Sequence, residues 1–419
     1  MSWVKHGVRS VHPSKRIAGS AGDCLAGRKV VLGICGSVAA IKSPEIAREL
    51  MRRGAEVICV MSAGAEHFIG SGLMHWATGN EVITGITGRT EHVGLFGAKG
   101  GEGCADLLLI APATFGTVGR IANGMEQGAL DMMAACALGA KIPVVIAPAM
   151  HESLYNNPLF KENMKRLERN GVVFVPPRLE GGKAKIAMPE EVADFVARSI
   201  GKGAGQLKGR KIVVTAGASR EFIDDVRFIS NPSTGRMGVE IAKRAWQMGA
   251  DVVLVAGHVD VEIPRYVERV YAEGVKETSD AVKAHDADAY VLAGAPGDFM
   301  VEGREAGKMD SEKEAVLKLK PVQKIADLVK KWHPEAKLVV FKAETKGAEL
   351  ENAARKKMKE CGAELAVANV VGRGKGFGEA KTEVLLISVK GVKKVAGAKT
   401  EIAYEVLAEL ASRLLLKDA

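Results

Sequence analysis

The sequence predicts two doubly wound α/β domains in tandem, each built on a mainly parallel sheet. Three observations carry this. Residues 27–37, GRKVVLGICGS, are echoed by residues 209–219, GRKIVVTAGAS. Each copy leads, directly or after a long loop, into a helical stretch and a second apolar run: PEIARELMRRGA then EVICVMS, and GVEIAKRAWQMGA then DVVLVAG. These runs are continuously apolar rather than alternating, as parallel strands covered on both faces are. A chain of 419 residues is also too long for one ordinary core.

In chain order, residues 1–26 form a basic arm with Lys5, Arg9, Lys15 and Arg16, in which Pro13 and several glycines break any helix. The first domain spans 27–200. After the echoed β–loop–α–β start come a strand at 105–111, a turn at Pro112-Ala113-Thr114, a helix through Arg120-Ile121-Ala122 and a strand at 143–147. Both of these strands end in Ala-Pro, so the following loops, APATFGT and APAMHES, are expected on one sheet edge. A helix at 189–200 closes the domain, and a Gly/Lys segment of linker composition occupies 201–208. The second domain, 209–419, has further strands expected at 289–293, 337–341, 365–368 and 384–389, and helices at 321–331, 348–361 and 400–416.

Composition narrows the function classes. Lys and Arg number 59 against 50 Asp and Glu, a formal charge of +9, but the basic residues are scattered among acids. Aromatics are only 5%, and no basic run is interleaved with stacking residues. That excess suits anionic small molecules rather than nucleic acid. The six cysteines show no CxxC pair and no metal spacing, so buried free thiols are expected and no metal ligands are assigned. No apolar run reaches membrane-spanning length and no signal peptide is visible. The expectation is a cytoplasmic protein.

The most informative stretch is 215–238, TAGASREFIDDVRFISNPSTGRMG. It joins a buried strand to a helix N-terminus and is rich in small and basic residues, a combination that favours phosphate. Phe222, Ile223, Val226, Phe228 and Ile229 give it apolar anchors, so it reads as a binding loop rather than a disordered one. Gly217, Ser219 and Arg220, at the strand end, suit a triphosphate.

With GICGSVAAIK (33–42), EHVGL (91–95), APAT (111–114), IANG (121–124) and PAM (148–150), the first domain resembles the flavin-containing cysteine decarboxylases. With SREFIDDVRFISNPSTGRMG, AGAPGDF, FKAET and VANVVGRGKGFG, the second resembles phosphopantothenate–cysteine ligase. Their fusion in this order, over roughly 27–415, is similar to the bifunctional enzymes of coenzyme A biosynthesis. The resemblance implies a flavodoxin-like flavin domain followed by a Rossmann-like ligase domain.

For the first domain the resemblance implies FMN, held by Gly36, Ser37, Val38, Ser62, Ala113, Thr114 and Thr117, whose small side chains and hydroxyls suit a ring and a phosphate. It implies His92 as the catalytic histidine, and Asn123 and Met150 as substrate positions. Two departures stand out. His151 follows PAM where the family usually has Asn, and an imidazole there still offers a hydrogen bond. The stretch Arg178-Leu179-Glu180-Gly181-Gly182-Lys183-Ala184-Lys185 stands where many members carry a lid cysteine that donates a proton; Lys183 or Lys185 is the substitute available.

For the second domain the resemblance implies amide formation through an acyl-nucleotide, since a carboxylate oxygen leaves poorly until it carries a nucleotide's α-phosphate. The resemblance implies Asn231 against that intermediate, Arg227 as its companion, Asp298 and Phe341 at the nucleotide and Lys308 stabilising the transition state. Lys342 adds a cation where many members have a small residue. Arg373, Lys375 and Phe377 form a candidate lid. Mg²⁺ is implied with the triphosphate, and CTP and ATP both remain open. The substrates implied are phosphopantothenate and cysteine, with no membrane partner. The assembly implied is a homo-oligomer, trimeric through the flavin domain and dimeric through the ligase domain, hence a dodecamer. Two rivals remain: a ligase fused to an inactive flavin domain, and a flavin-binding regulatory subunit.

Overall fold

A computed structural model of the chain describes residues 12–98, 100–101, 103–304, 306–310, 312, 314–371 and 381–415. Arg373, Lys375 and Phe377 lie outside the described residues, as do Lys5 and Arg9 of the arm. The chain divides into two compact units, Met1–Ala204 and Gly205–Ala419.

Unit 1 carries β1 (Lys29–Ile34), β2 (Glu56–Met61), β3 (Val82–Ile83), β4 (Leu107–Ala113), β5 (Val144–Pro148), β6 (Met150–His151), β7 (Val173–Phe174), β8 (Arg178–Glu180) and β9 (Lys183–Lys185). Its main sheet runs β3-β2-β1-β4-β5-β7, with every pairing parallel. All seven residues of β4 are buried, so this central strand is covered on both faces. Strand order reverses between β1 and its neighbours β2 and β4. In open α/β sheets ligands bind at the carboxyl ends beside such a reversal.

The described part of the basic arm is docked onto unit 1. Gly19, Ala21 and Leu25 donate their N–H groups to the carbonyls of Met51, Arg52 and Arg53, at 3.1, 2.9 and 2.8 Å. These carbonyls sit at and just beyond the C-terminal end of the helix Ser43–Arg52, where intrahelical donors run out. Leu25 is fully buried. Leu25→Ala is expected to cost about 2–5 kcal/mol of unit 1 stability, read as a lower midpoint in thermal or denaturant unfolding. A midpoint unchanged from the parent chain would mean that the arm is ornamental.

Unit 2 carries β10 (Lys211–Ala216), β11 (Arg220–Phe222), β12 (Phe228–Ser230), β13 (Asp251–Ala256), β14 (Glu268–Tyr271), β15 (Ala289–Leu292), β16 (Phe299–Glu302), β17 (Lys318–Pro321), β18 (Lys337–Glu344), β19 (Leu365–Val370), β20 (Lys381–Ser388) and β21 (Gly391–Ala398). Its main sheet runs β14-β13-β10-β15-β18-β19-β20-β21, parallel as far as β19 and antiparallel thereafter. The period of two divides each strand between two cores. Ile212, Val214, Leu254 and Val291 pack with the helix Lys399–Leu415. Val213, Val253, Val255 and Tyr290 face the other way, towards the helix Gly347–Cys361.

Three expectations need correction. The helix expected at 321–331 begins only at Ala326, because Lys318–Pro321 pair with Phe299–Glu302 and the extended backbone runs on through Val322. The long loop 215–238 contains the hairpin β11–β12. The strand expected at 384–389 is one arm of the longer β20–β21 hairpin.

Candidate functional site

In unit 1 the residues expected to hold FMN lie along the carboxyl ends of β1, β2 and β4. Ser37 caps the short turn Val38–Lys42, its Oγ accepting from Ala39 N at 3.3 Å and donating to Ala149 O at 3.4 Å. Ser62 N donates to Ile34 O and Ala149 N to Ala113 O, both at 3.0 Å, so the three strand ends are tied together. A Cβ at Gly36 would lie 2.8 Å from the backbone carbon of Gly64, so only glycine lets the two loops meet. Thr114 caps the helix Phe115–Ala122, with its hydroxyl 3.0 Å from that of Thr117.

Thr117 itself is buried, and its hydroxyl accepts from Arg120 Nη2 at 3.2 Å. Arg120 is in turn held by Asp131, Nε to Oδ2 at 2.8 Å. Thr117 thus steadies the loop from beneath, while Thr114 is the more open of the two. Burial pushes the Cys35 thiol up to about 11, against a hydrogen bond to Thr117, and the Cys59 thiol up to about 12.

His92 is half-buried on the helix Glu91–Phe96, and its Nδ1 is buried without a hydrogen-bond partner. A buried polar atom of this kind calls for a partner from outside the chain. Asn123 lies at the far end of Phe115–Ala122, about 14 Å along the helix from Thr114. There its amide donates to Gly119 O at 2.8 Å and accepts from Arg166 at 3.1 Å. The structure therefore does not bring Asn123 together with the strand-end group.

The stretch 178–185 is a β-hairpin turning at Gly181 and Gly182, both at positive φ. It pairs with β6 so that Met150 faces Ala184 and His151 faces Lys183. His151 caps the next short helix, its Nδ1 accepting from Ser153 N at 3.3 Å. Lys185 is held by Glu180 at 2.9 Å. Of the two lysines, the fold puts Lys183 across from His151 and ties Lys185 elsewhere.

In unit 2 a cavity of about 440 Å³ opens at the carboxyl ends of β10, β15 and β18. Gly217, Ser219, Asn231, Asp298 and Phe341 line it, as expected from sequence. Asn231 Nδ2 donates to Ala295 O and Pro296 O at 3.2 and 3.1 Å, and Gly297 N donates to Ser219 Oγ at 2.8 Å. These bonds hold the Asp298 loop against the β10 loop. The cavity also meets the N-terminus of the helix Arg236–Gln247, where unpaired N–H groups and the helix dipole favour an anion.

Three expected residues do not line the cavity. Arg220 Nη2 lies 2.8 Å from His258 Nδ1, and its guanidinium stacks 4.6 Å over the Phe228 ring. Arg227 donates to Met309 O at 3.2 Å and pairs with Asp224 at 3.4 Å. Lys308 is exposed on a loop fastened at Gly307 and Met309 by Asp225 and Asp224. Burial works against the Asp224 carboxylate, but N–H donors from Arg227, Val226 and Met309 hold it below the usual range. Arg227 and Lys308 are thus brought near one another, on the hairpin side. Sequence reasoning missed Lys324, Lys357 and Lys399, which all line the cavity; the mistaken helix at 321–331 hid the first, and no motif marks the others.

Among the described residues no group of three or more His, Cys, Asp or Glu is placed to hold a metal ion. No described helix is long and apolar enough to cross a membrane.

Comparison with known proteins matches residues 19–201 to the Flavoprotein family and residues 207–414 to the DNA/pantothenate metabolism flavoprotein C-terminal domain. The chain is 41% identical over 412 residues to the coenzyme A biosynthesis bifunctional protein CoaBC of Thermococcus kodakarensis, covering 96% of this chain and 100% of that protein. It is 33% identical to the protein of the same name from Methanocaldococcus jannaschii, over 95% of this chain and 96% of that one. The Bacillus subtilis counterpart is 32% identical, over 93% and 98%.

Proposed function

Because the chain belongs to the family of coenzyme A biosynthesis bifunctional proteins, we propose that its two strand-end constellations divide the chemistry between them. The chain is a bifunctional enzyme of coenzyme A biosynthesis, a phosphopantothenate–cysteine ligase and a phosphopantothenoylcysteine decarboxylase. The observation that carries the division of labour is the position of each constellation beside its own strand-order reversal.

In unit 2 the phosphopantothenate carboxylate attacks the α-phosphate of a nucleoside triphosphate, pyrophosphate leaves, and the cysteine amine displaces the nucleotide. The loop amides of 217–219 and the helix start at 235–237 receive the phosphates, with Lys324 and Lys399 adding positive charge. Asn231 and Asp298 address the acyl-nucleotide. Arg227 accompanies Asn231 at the acyl-nucleotide and Lys308 serves the transition state, both from the hairpin side. Mg²⁺ accompanies the triphosphate, and CTP is the co-substrate we favour over ATP.

In unit 1 the residues present fit FMN: a glycine-only approach at Gly36, hydroxyls at Ser37, Ser62 and Thr114, and an unpartnered nitrogen on His92. Bound flavin would supply the two-electron oxidation that makes loss of the carboxylate feasible, and the matching reduction. The chain itself orients the substrate with Met150 and His151 and moves a proton at His92. Lys183, across from His151, holds the proton for the second half. The assembly follows the trimer-and-dimer scheme to a dodecamer.

The test uses full-length protein with phosphopantothenate, cysteine, Mg²⁺ and either CTP or ATP, with products followed by mass. Phosphopantetheine is the expected product. Lys183→Ala is expected to slow its formation about a hundredfold, and Lys185→Ala to leave it within about twofold, since surface ion pairs carry little. Equal effects of the two substitutions would remove Lys183 from this role. A reaction that halts at phosphopantothenoylcysteine would overturn the decarboxylase assignment.

A further inference from the structure

The loop that lines the unit 2 cavity rests its back on a segment that no motif marks. Residues 257–260 follow β13, and there His258 exchanges backbone hydrogen bonds with Ala218 at 3.0 and 3.2 Å while Asp260 N donates to Thr234 O at 3.1 Å. Gly217, at φ +81°, has no room for a Cβ because His258 O would lie 2.2 Å away. Gly235, at φ +71°, meets Val259 Cγ1 at 2.3 Å in the same sense. These two cavity glycines, Gly217 and Gly235, are therefore seated on 257–260.

The His258 side chain ties this segment to the hairpin. An arginine has no acceptor, so the 2.8 Å contact from Arg220 Nη2 makes His258 Nδ1 the acceptor. The ring proton then sits on Nε2, which lies 3.0 Å from Asp260 Oδ1. Arg220 is braced from behind, with Nη1 3.8 Å from Glu273 Oε1 and its own N–H donating to Glu273 O at 2.8 Å. We propose that Arg220, His258 and Asp260 form a positioning relay that sets the phosphate-receiving loop, with the neutral imidazole as its working state. The proposal deepens the reading of this cavity as the ligase nucleotide site and rests on that reading.

Protonating His258 places a second donor at Nδ1 against the guanidinium, and the link to Arg220 is lost. Asp260 on the same segment and Arg220 on the hairpin are the charged groups in direct contact with the ring. Behind Arg220, Glu273 faces its guanidinium, Tyr271 and Glu277 lie against Glu273, and Glu221 on the hairpin accepts from Val275 N. Segment 257–260 then keeps its backbone bonds and the packing of Val259 but loses its side-chain tie to the hairpin, and the loop amides are less well placed. Because the loop meets phosphate in ground and transition states alike, the effect falls on nucleotide affinity and KM rather than on kcat.

The experiment compares the full-length parent chain with His258→Gln, which keeps an acceptor and a donor but does not titrate, and with His258→Ala. Affinity for CTP and for ATP is measured by calorimetry between about pH 6 and pH 8, alongside the KM and kcat of ligation. The parent is expected to lose about fivefold in affinity towards the acid end, and His258→Gln to stay flat. His258→Ala is expected to bind about tenfold more weakly throughout, with kcat within about twofold. Parent-like affinity and pH dependence in His258→Ala, or parent-like acid weakening in His258→Gln, would overturn the relay. If His258→Ala does not fold, the Gln variant decides alone. A chain that binds nucleotide with the expected pH pattern but makes no phosphopantothenoylcysteine keeps the relay and loses the ligase reading.

Discussion

His92→Asn lets the chain make phosphopantothenoylcysteine but slows its conversion to phosphopantetheine by about 10²- to 10⁴-fold, the usual worth of one proton-transfer group. The reason is local. The helix Glu91–Phe96 is pinned by Leu95 and Phe96, both buried, so the His92 ring has a set direction. Its Nδ1 is shielded from water yet makes no hydrogen bond among the described residues. Asparagine keeps a hydrogen-bonding group of similar reach but has no proton to exchange near neutral pH. The measurement is product mass against time with the ligase step in excess. Conversion within about tenfold of the parent would remove His92 from the chemistry, and loss of the ligation product as well would point to a folding defect.

Gly217→Ala abolishes ligation and costs about 2–4 kcal/mol of unit 2 stability. Two penalties add. The backbone at φ +81° is strained for any residue with a Cβ, and that Cβ would lie 2.2 Å from His258 O, a backbone atom that cannot swing aside. Relief requires the loop or segment 257–260 to move, and either shift displaces the amides proposed to receive the triphosphate. Gly303→Ala is the matched control, since Gly303 has φ +77° with nothing within 4 Å of the added carbon. It is expected to cost only about 1 kcal/mol and to leave ligation intact. Equal losses from the two substitutions would show that dihedral strain alone is at work and that contact with His258 does not matter.

The fold was largely legible because strands covered on both faces need continuous apolar runs, and β1, β4, β10 and β13 show them plainly. The hairpins were less so. β11–β12 and β16–β17 carry Val226, Phe228, Phe299 and Leu319 as exposed side chains, so no buried face imposed a readable pattern. In the arm, Leu25 and the N–H donors that reach the end of Ser43–Arg52 act through long-range docking, which local composition does not report.

The sites divide in the same way. Residues that act through backbone position, such as Gly36, Gly217 and Ser219, follow from where a strand ends and a helix begins. Arg220 and Arg227 act through side chains whose direction depends on partners far along the chain, His258 and Met309, and Lys308 rides on a loop fastened at Gly307 and Met309 by Asp225 and Asp224. Spacing placed them beside the loop, and these long-range contacts leave them off the cavity wall.

The thiols beneath the unit 1 site have one further consequence, for compatibility with the substrate. An enzyme that handles free cysteine, and a product ending in a thiol, works in the presence of small molecules ready to exchange with any ionised cysteine of its own. Exchange requires a thiolate. With Cys35 held at about 11, roughly one chain in ten thousand carries that thiolate at neutral pH, and Cys59 is further protected. The fold keeps its internal sulfur chemically silent next to a site whose business is sulfur, so mixed disulfides do not accumulate on the catalytic floor.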